Sequence, residues 1–276
     1  MGSADGGRPS ALVTGASAGI GAAFARRLAR DGFDVILVAR RGERLEELAR
    51  ELRAEVGVAA RPLAADLATP QGLRRVERAV ADAAALELLV NNAGFAGYEP
   101  FARVDPDLVE QQLYLHDVAL TRLTRAALPG MLARGRGAVV NVSSMLAFSG
   151  SIAGGRLPPR AVYAGTKAYI NTFTQLLAAE LAGTGVQVQA LSPAMVRTEF
   201  HGRDPHNPAH WPYPPLEPEA LVEASLAGLR LGEVICVPTL EDPGLLESVD
   251  EAQRRLFQTG LGGRAAARYA AGPAQA

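Results

Sequence analysis

Short β-rich runs alternate with longer amphipathic stretches along this chain, and that alternation restricts its fold more than any single residue does. The runs at 11–14, 34–39, 60–64, 86–91, 138–143, 186–191 and 234–237 are rich in Val, Leu, Ile and Ala and read as seven buried strands. Helical spacing of apolar residues occupies 20–30, 44–55, 70–84, 107–134, 162–182 and 218–229 between them. Strands without a polar face need cover on both sides, which intervening helices supply in a parallel sheet. With right-handed crossovers the expectation is an α/β fold: a doubly wound, Rossmann-type parallel sheet, a single domain of about seven strands with helices on both faces. The domain is expected over residues 10–260, after a disordered lead-in at 1–9 and before a C-terminal tail at 261–276.

Bulk properties exclude several classes. A chain of 276 residues that is 48% hydrophobic can bury a substantial core. Its formal net charge of −1 offers no electrostatic reason to expect nucleic acid or an anionic membrane as partner. Arg, Asp or Gly interrupts every apolar run well before about 18 residues, so no segment is expected to span a bilayer. Residues 1–10 lack the apolar core of a secretion signal, and a cytoplasmic protein is the simplest expectation. The lone cysteine, Cys236, cannot form an intramolecular disulfide and falls in the last β-rich run, where a buried core thiol is expected.

The first strand leads into Thr14-Gly15-Ala16-Ser17-Ala18-Gly19-Ile20-Gly21, just ahead of a predicted helix. Gly15, Gly19 and Gly21 permit a sharp turn with room for a pyrophosphate, while the helix N-terminus offers N–H donors. Ser17 and Ile20 belong to the same expected cradle. An NAD enzyme places a carboxylate at the end of the second strand, about 20 residues past the glycines. Here that place reads Val38-Ala39-Arg40-Arg41, and Asp34 lies at the strand's opposite end. Arg40 and Arg41 favour a 2′-phosphate, so NADP(H) is the expected cofactor. The competing reading has them solvate a helix start, which is unfavourable without an anion. Asp66, followed by Leu67, closes the third strand, where its carboxylate is placed to accept from an adenine amino group. Asn91-Asn92-Ala93-Gly94 ends the fourth strand with small residues that admit a ribose. Both segments also fit ordinary turn chemistry.

Tyr163 and Lys167 are four residues apart in a predicted helix, on one face. A fixed positive charge beside a phenol favours phenolate, so the pKa of Tyr163 is expected to fall from about 10 toward the range of an acid/base catalyst. A dinucleotide turn followed by such a pair points to hydride transfer to or from a carbonyl. Two segments break the strand–helix rhythm. Residues 149–160 form a Gly- and Pro-containing loop just before Tyr163. Residues 201–218 hold six prolines with Trp211 and Tyr213 among them, and a substrate lid is expected at about 199–217. His201, His206 and His210 lie in that lid without a regular helix to align them, so no metal site is expected.

Taken together, these residues resemble the short-chain dehydrogenase/reductase family over roughly residues 10–240. The resemblance rests on Thr14-Gly-x-x-x-Gly-x-Gly21, Asp66, Asn91-Asn-Ala-Gly94, Asn141-Val-Ser-Ser144, Tyr163-x-x-x-Lys167 and Ser192-Pro-Ala-Met-Val-Arg-Thr198. It implies one Rossmann domain, usually in a homodimer or homotetramer built on the long helices. It also implies that Tyr163 is the general acid in reduction or the base in oxidation. Lys167 would lower that group's pKa and hold the nicotinamide ribose, and Ser144 would hydrogen-bond the substrate oxygen. Pro193, Val196 and Thr198 would fix the cofactor's carboxamide.

Three departures stand beside the matches. The family's long helix usually carries an asparagine whose backbone holds a water near the lysine; that place falls on His116. The histidine is open to three readings: it shapes the helix for that water, it passes protons itself, or it is a packed side chain. The serine-to-tyrosine distance, 144 to 163, is longer than usual, and the 149–160 loop holds the excess. Ala194 replaces the usual glycine after Pro193. The leading expectation is an NADPH-dependent ketone or aldehyde reductase, or the reverse alcohol dehydrogenase, whose partner is a small, partly apolar carbonyl or alcohol. A biosynthetic reductase of an imine or polyketide-type ketone and an NADP(H)-binding sensor with little turnover remain open.

Overall fold

The seven β-rich runs become β1 (Ser10–Thr14), β2 (Asp34–Ala39), β3 (Ala60–Ala64), β4 (Leu86–Asn91), β5 (Gly137–Val142), β6 (Val186–Leu191) and β7 (Ile235–Cys236). In this computed structural model the residues described are 7–152, 157–199 and 213–269. The chain divides into two compact units, Met1–Pro238 and Thr239–Ala276, whereas one domain to residue 260 is the sequence expectation. All seven strands belong to the first unit and pair in parallel in the order β3-β2-β1-β4-β5-β6-β7. The doubly wound Rossmann-type sheet is therefore present. Its direction of winding reverses between β1 and β4, the place where such sheets open a crevice at their carboxyl ends.

Alternation along each strand sends successive side chains to opposite faces. Ala11, Val13, Val35, Leu37, Val90 and Val140 face a core completed by Phe24 and Leu28 of α1 (Gly19–Arg30), Leu45 and Leu52 of α2 (Gly42–Val56), and Leu221 and Leu226 of α7 (Pro218–Leu231). Leu12, Ile36, Val38, Leu89 and Val139 face the other way. There they meet Leu73 and Val76 of α3 (Pro70–Ala81), Leu123 and Met131 of α5 (Leu120–Arg134), and Leu177 of α6 (Ala161–Glu180). Each Val, Leu, Ile, Phe or Met side chain buried this way contributes roughly 1.5–3 kcal/mol. Cys236 is buried in the first of these cores, and burial pushes its thiol pKa up to about 12.

Helix starts follow local chemistry. Thr69 accepts a hydrogen bond from the Gly72 amide (3.1 Å) with Pro70 behind it, and α4 (Pro106–Leu113) repeats the device with Asp105 and Pro106. The run expected as one helix over 107–134 is three: α4, a π-helical turn over Tyr114–Ala119, and α5. Periodicity cannot distinguish these, because a π turn inserts a residue without ending the helix. In the second unit α8 (Gly244–Gly260) lies beyond the predicted helical stretches; Leu245, Val249 and Leu256 share one side of it. Among the described residues no helix is long and apolar enough to cross a membrane.

Buried polar side chains stitch the crevice closed beneath the site. The Thr14 hydroxyl donates to the Val90 carbonyl (3.2 Å) and accepts from the amides of Asn92 (2.9 Å) and Ala93 (3.0 Å). Asn91 donates to Asn141 Oδ1 (2.9 Å) and to Thr124 Oγ1 (3.1 Å), and Asn141 donates to Thr174 Oγ1 (3.1 Å). Replacing Thr14 by the isosteric Val strands two amides and a carbonyl at a site 1% exposed. Thr14→Val is expected to lower the unfolding free energy by about 2 kcal/mol in a urea titration; an unchanged midpoint would refute the stitch.

Candidate active site

Because the strands are parallel, β1, β4, β5 and β6 all deliver their carboxyl ends to one edge of the sheet. At the first of these the chain must turn into α1 in almost no space. Gly15 (φ +67°) and Gly19 (φ +53°) adopt left-handed backbone, and a Cβ on Gly21 would lie 2.3 Å from the Gly15 carbonyl oxygen. The N-cap of α1 is Ala18, which offers no side-chain acceptor, so the first-turn amides are left for an outside anion. Ile20 packs against the core and Leu67 is buried within it, so these two can offer a nucleotide only main-chain groups.

Cations gather at the end of β2. Arg41 donates to Ser17 Oγ from Nε (3.1 Å) and Nη2 (2.9 Å), while Arg40 is exposed and pairs with none of the described residues. Arg44, three residues on, joins Arg41 on the Glu199 carboxylate. A cradle that a Cβ would fill, uncapped helix amides and this guanidinium cluster together fit a dinucleotide carrying a 2′-phosphate. At the end of β3, Asp66 Oδ1 accepts from the Ala68 amide (3.0 Å), which leaves Oδ2 for an adenine amino group. Asn92 Nδ2 donates to the Thr14 carbonyl (2.9 Å), and Ala93 and Gly94 follow along the crevice.

The reacting groups come from β5 and α6. Ser144 caps a short 3₁₀ turn over Met145–Phe148, and Tyr163 and Lys167 stand one turn apart near the start of α6. Ser144 is close enough to Tyr163 to lower its pKa, and the Lys167 ammonium lies 5.6 Å from the centre of the Tyr163 ring. Lys167 Nζ donates to the Val142 carbonyl (2.7 Å), and its own carbonyl accepts from Ser143 Oγ (2.9 Å), so β5 holds the residue at both ends. The sequence expectation that Lys167 depresses the Tyr163 pKa does not hold in this geometry. Burial, reinforced by Tyr98, pushes the phenol above its ordinary value against the lowering effect of Ser144. Burial also brings Lys167 down to about 8, opposed by Asp117.

His116 lies in the π turn, 1% exposed, with its ring edge-on to Tyr163 at 5.8 Å. Its Nε2 accepts from the Phe95 amide (3.2 Å), which makes Nδ1 the protonated nitrogen, and Nδ1 donates to Thr166 Oγ1 (2.9 Å). Thr166 in turn donates to the Tyr163 carbonyl (2.9 Å). Both ring nitrogens are thus committed, and burial followed by the charge of Lys167 holds the pKa well below the usual imidazole value. Of the three readings, the packed side chain matches this geometry, and the proton carrier does not. A Cβ on Gly94 would sit 2.8 Å from His116 Nε2, so that glycine is required by its neighbour. Beside it, burial raises the Asp117 carboxyl to about 6.

The remaining expectations fall into place unevenly. Pro193 accepts from the Met145 amide (2.9 Å), and no described non-glycine residue has positive φ, so Ala194 fits its turn without strain. Val196 is buried and bridges Leu216, and Thr198 packs over Gly19. Most of the expected lid, including His201, His206, His210 and Trp211, lies outside the described residues; Tyr213 is exposed. Among the described residues no group of three His, Cys, Asp or Glu could hold a metal ion. Sequence reasoning missed Arg160, which donates to Ser149 Oγ (2.8 Å) and to the Ile152 carbonyl (2.7 Å) and so fastens the 149–160 loop beside Tyr163. It also missed Arg44, Tyr98 and Glu199. Only Arg44 left a signal, its position one turn beyond Arg41.

The short chain dehydrogenase family model matches residues 9–208. The chain belongs to the short chain dehydrogenase family. A short-chain dehydrogenase from Sphingobium yanoikuyae, solved in complex with NADPH, superposes with a TM-score of 0.88 at 38% identity, covering 95% of this chain and 99% of that one. A bulky-bulky ketone specific alcohol dehydrogenase from Comamonas testosteroni gives 0.85 at 31% identity, covering 95% and 99%. A curated short chain dehydrogenase of Pseudocercospora fijiensis is 39% identical over 199 residues, 71% of this chain and 62% of that protein. The chain thus spans about three fifths of that relative's length. Within this family member, His116→Asn is expected to leave the inflections of the pH–rate profile where they are. Loss of a titration near neutrality would restore the proton-carrier reading.

Proposed function

We propose that the protein is an NADPH-dependent reductase of ketones or aldehydes, with Tyr163 as general acid. The observation that carries this reading is the burial of Ser144, Tyr163 and Lys167 together, at the same sheet edge as the glycine cradle and the Arg40, Arg41 and Arg44 cluster. NADPH, when bound, supplies the hydride. The chain's residues do the rest. Gly15, Gly19 and Gly21 with the α1 amides hold the pyrophosphate, Arg40 and Arg41 the 2′-phosphate, and Asp66 the adenine. Val196 and Thr198 would hold the carboxamide, and Asn92, Ala93 and Gly94 would leave room for the ribose. Lys167 lies beside Tyr163, placed for the ribose hydroxyls.

Ser144 and Tyr163 donate to the substrate oxygen, where negative charge develops as the carbonyl carbon is reduced. Tyr163 then gives up its proton to that oxygen. A phenol whose pKa burial has raised stays protonated at neutral pH, which suits an acid in reduction better than a base in oxidation. His116 acts as a positioning residue, holding the start of α6 through Thr166. Tyr98, whose ring meets Tyr163 edge-on at 5.9 Å, and the part-exposed Met145 favour a partly apolar substrate. The family resemblance and the exposed Tyr169 and Leu176 on α6 support a homodimer or homotetramer, which a solution mass equal to one chain would rule out.

Tyr163→Phe is expected to cut NADPH-linked ketone reduction by about 10²–10⁴-fold while NADPH still binds. Comparable turnover would remove Tyr163 from the chemistry. In the parent enzyme the reduction rate is expected to fall as pH rises through about 8, where Lys167 loses the charge it offers the cofactor's ribose hydroxyls. A flat rate across that range in buffered stopped-flow assays would separate Lys167 from catalysis. NADPH binding without consumption across a panel of ketones and imines would favour a sensor.

A further inference from the structure

Glu199 is the one carboxylate on the guanidiniums at the end of β2 among the described residues, and the backbone that carries it is firmly placed. The Arg197 amide donates to the Leu216 carbonyl and the Leu216 amide to the Met195 carbonyl, each at 2.9 Å, which closes the neck of the following loop. Next in line, Thr198 packs so closely over the phosphate cradle that a Cβ on Gly19 would meet its Cγ2 at 2.9 Å. The following side chain, Glu199, therefore reaches directly over α2. Its Oε2 accepts from Arg41 Nη1 (3.0 Å), and both its oxygens accept from Arg44 Nη1 (2.9 and 2.8 Å). Ser17 completes the group through Arg41. The side chains of Arg41, Arg44 and Glu199 are 47%, 44% and 60% exposed, so an incoming anion can reach them.

We infer that Glu199 is a built-in competitor for the 2′-phosphate: its carboxylate takes the guanidiniums that NADP(H) must claim, and the dinucleotide has to displace it. An oxyanion with two acceptor oxygens bridging two arginines presents the same chemistry to them as a phosphate edge. NADH carries a hydroxyl at that position and has no need to displace the carboxylate. Glu199 thereby sets how strongly the enzyme holds the phosphorylated cofactor and keeps its release from being slowed by an unopposed cluster of cations. The inference rests on the proposed NADP(H) reading of Arg40 and Arg41.

The test is a fluorescence titration of NADPH and NADH into the parent and into Glu199→Gln, without substrate. Exposed ion pairs are weak, so Glu199→Gln is expected to tighten NADPH about threefold and to leave NADH unchanged. The unchanged NADH value reports that the variant is folded and its cradle intact. Glu199→Asp, whose shorter arm reaches the arginines poorly, should fall between the two. An unaltered NADPH affinity in Glu199→Gln, beside a parent that prefers NADPH, overturns the competitor role alone. Weaker NADPH binding also overturns it, by showing that the carboxylate organises the arginines for the phosphate. A parent that binds NADH as tightly as NADPH defeats the cofactor reading itself.

Discussion

The join between β1 and β4 is the constraint on which the rest of this molecule depends. Sheet winding reverses there, so no helix covers the carboxyl edge and a crevice opens. The polar ends of two buried strands must nevertheless be satisfied, and one hydroxyl, that of Thr14, serves a carbonyl and two amides across the seam. With those strands locked in register, the glycine turn, the Asn92–Gly94 segment and, one strand further, Ser144 are brought to the same edge. A slip of one residue would reverse the faces of Leu12 and Val13 and move all of them at once.

Burial then dictates the chemistry more than pairwise charge does. Tyr163, Lys167 and His116 are each no more than 6% exposed, and in all three the desolvated neutral form is favoured. The phenol holds its proton, the amine gives its proton up near pH 8 instead of above 10, and the imidazole stays neutral while bracing Thr166. This is a site poised to donate a proton to an oxygen acquiring charge. The exposed cofactor edge is governed differently, since Arg41, Arg44 and Glu199 pair in contact with water, where each contact is weak and exchange is easy.

Much of the fold was legible because it follows from local patterning. All seven strands begin and end within a residue of the β-rich runs, since a buried parallel strand has to be continuously apolar. The glycines, Asn91 to Gly94, Ser144, Tyr163 and Lys167 were legible through type and spacing. Other features were not. The π turn at Tyr114–Ala119 leaves the apolar period intact while rotating His116 into the Phe95–Thr166 gap. Arg160 gave no hint that it holds the loop before Tyr163, because apart from Ser149 Oγ its acceptors are backbone carbonyls that any residue type supplies.

The sequence by itself determined the order of strands and helices, the glycine cradle, the absence of an acid after β2 and the identity of the reacting side chains. These depend on neighbours within a few residues, where spacing alone dictates the face. Tertiary structure decided the protonation state of each group and the partner of each cation. Lys167 lowers no phenol until its own burial is known, and Glu199 meets Arg41 across 158 residues of chain. Solvent exclusion and long-range contact exist only once the sheet has closed, so no reading of residue order could have supplied them.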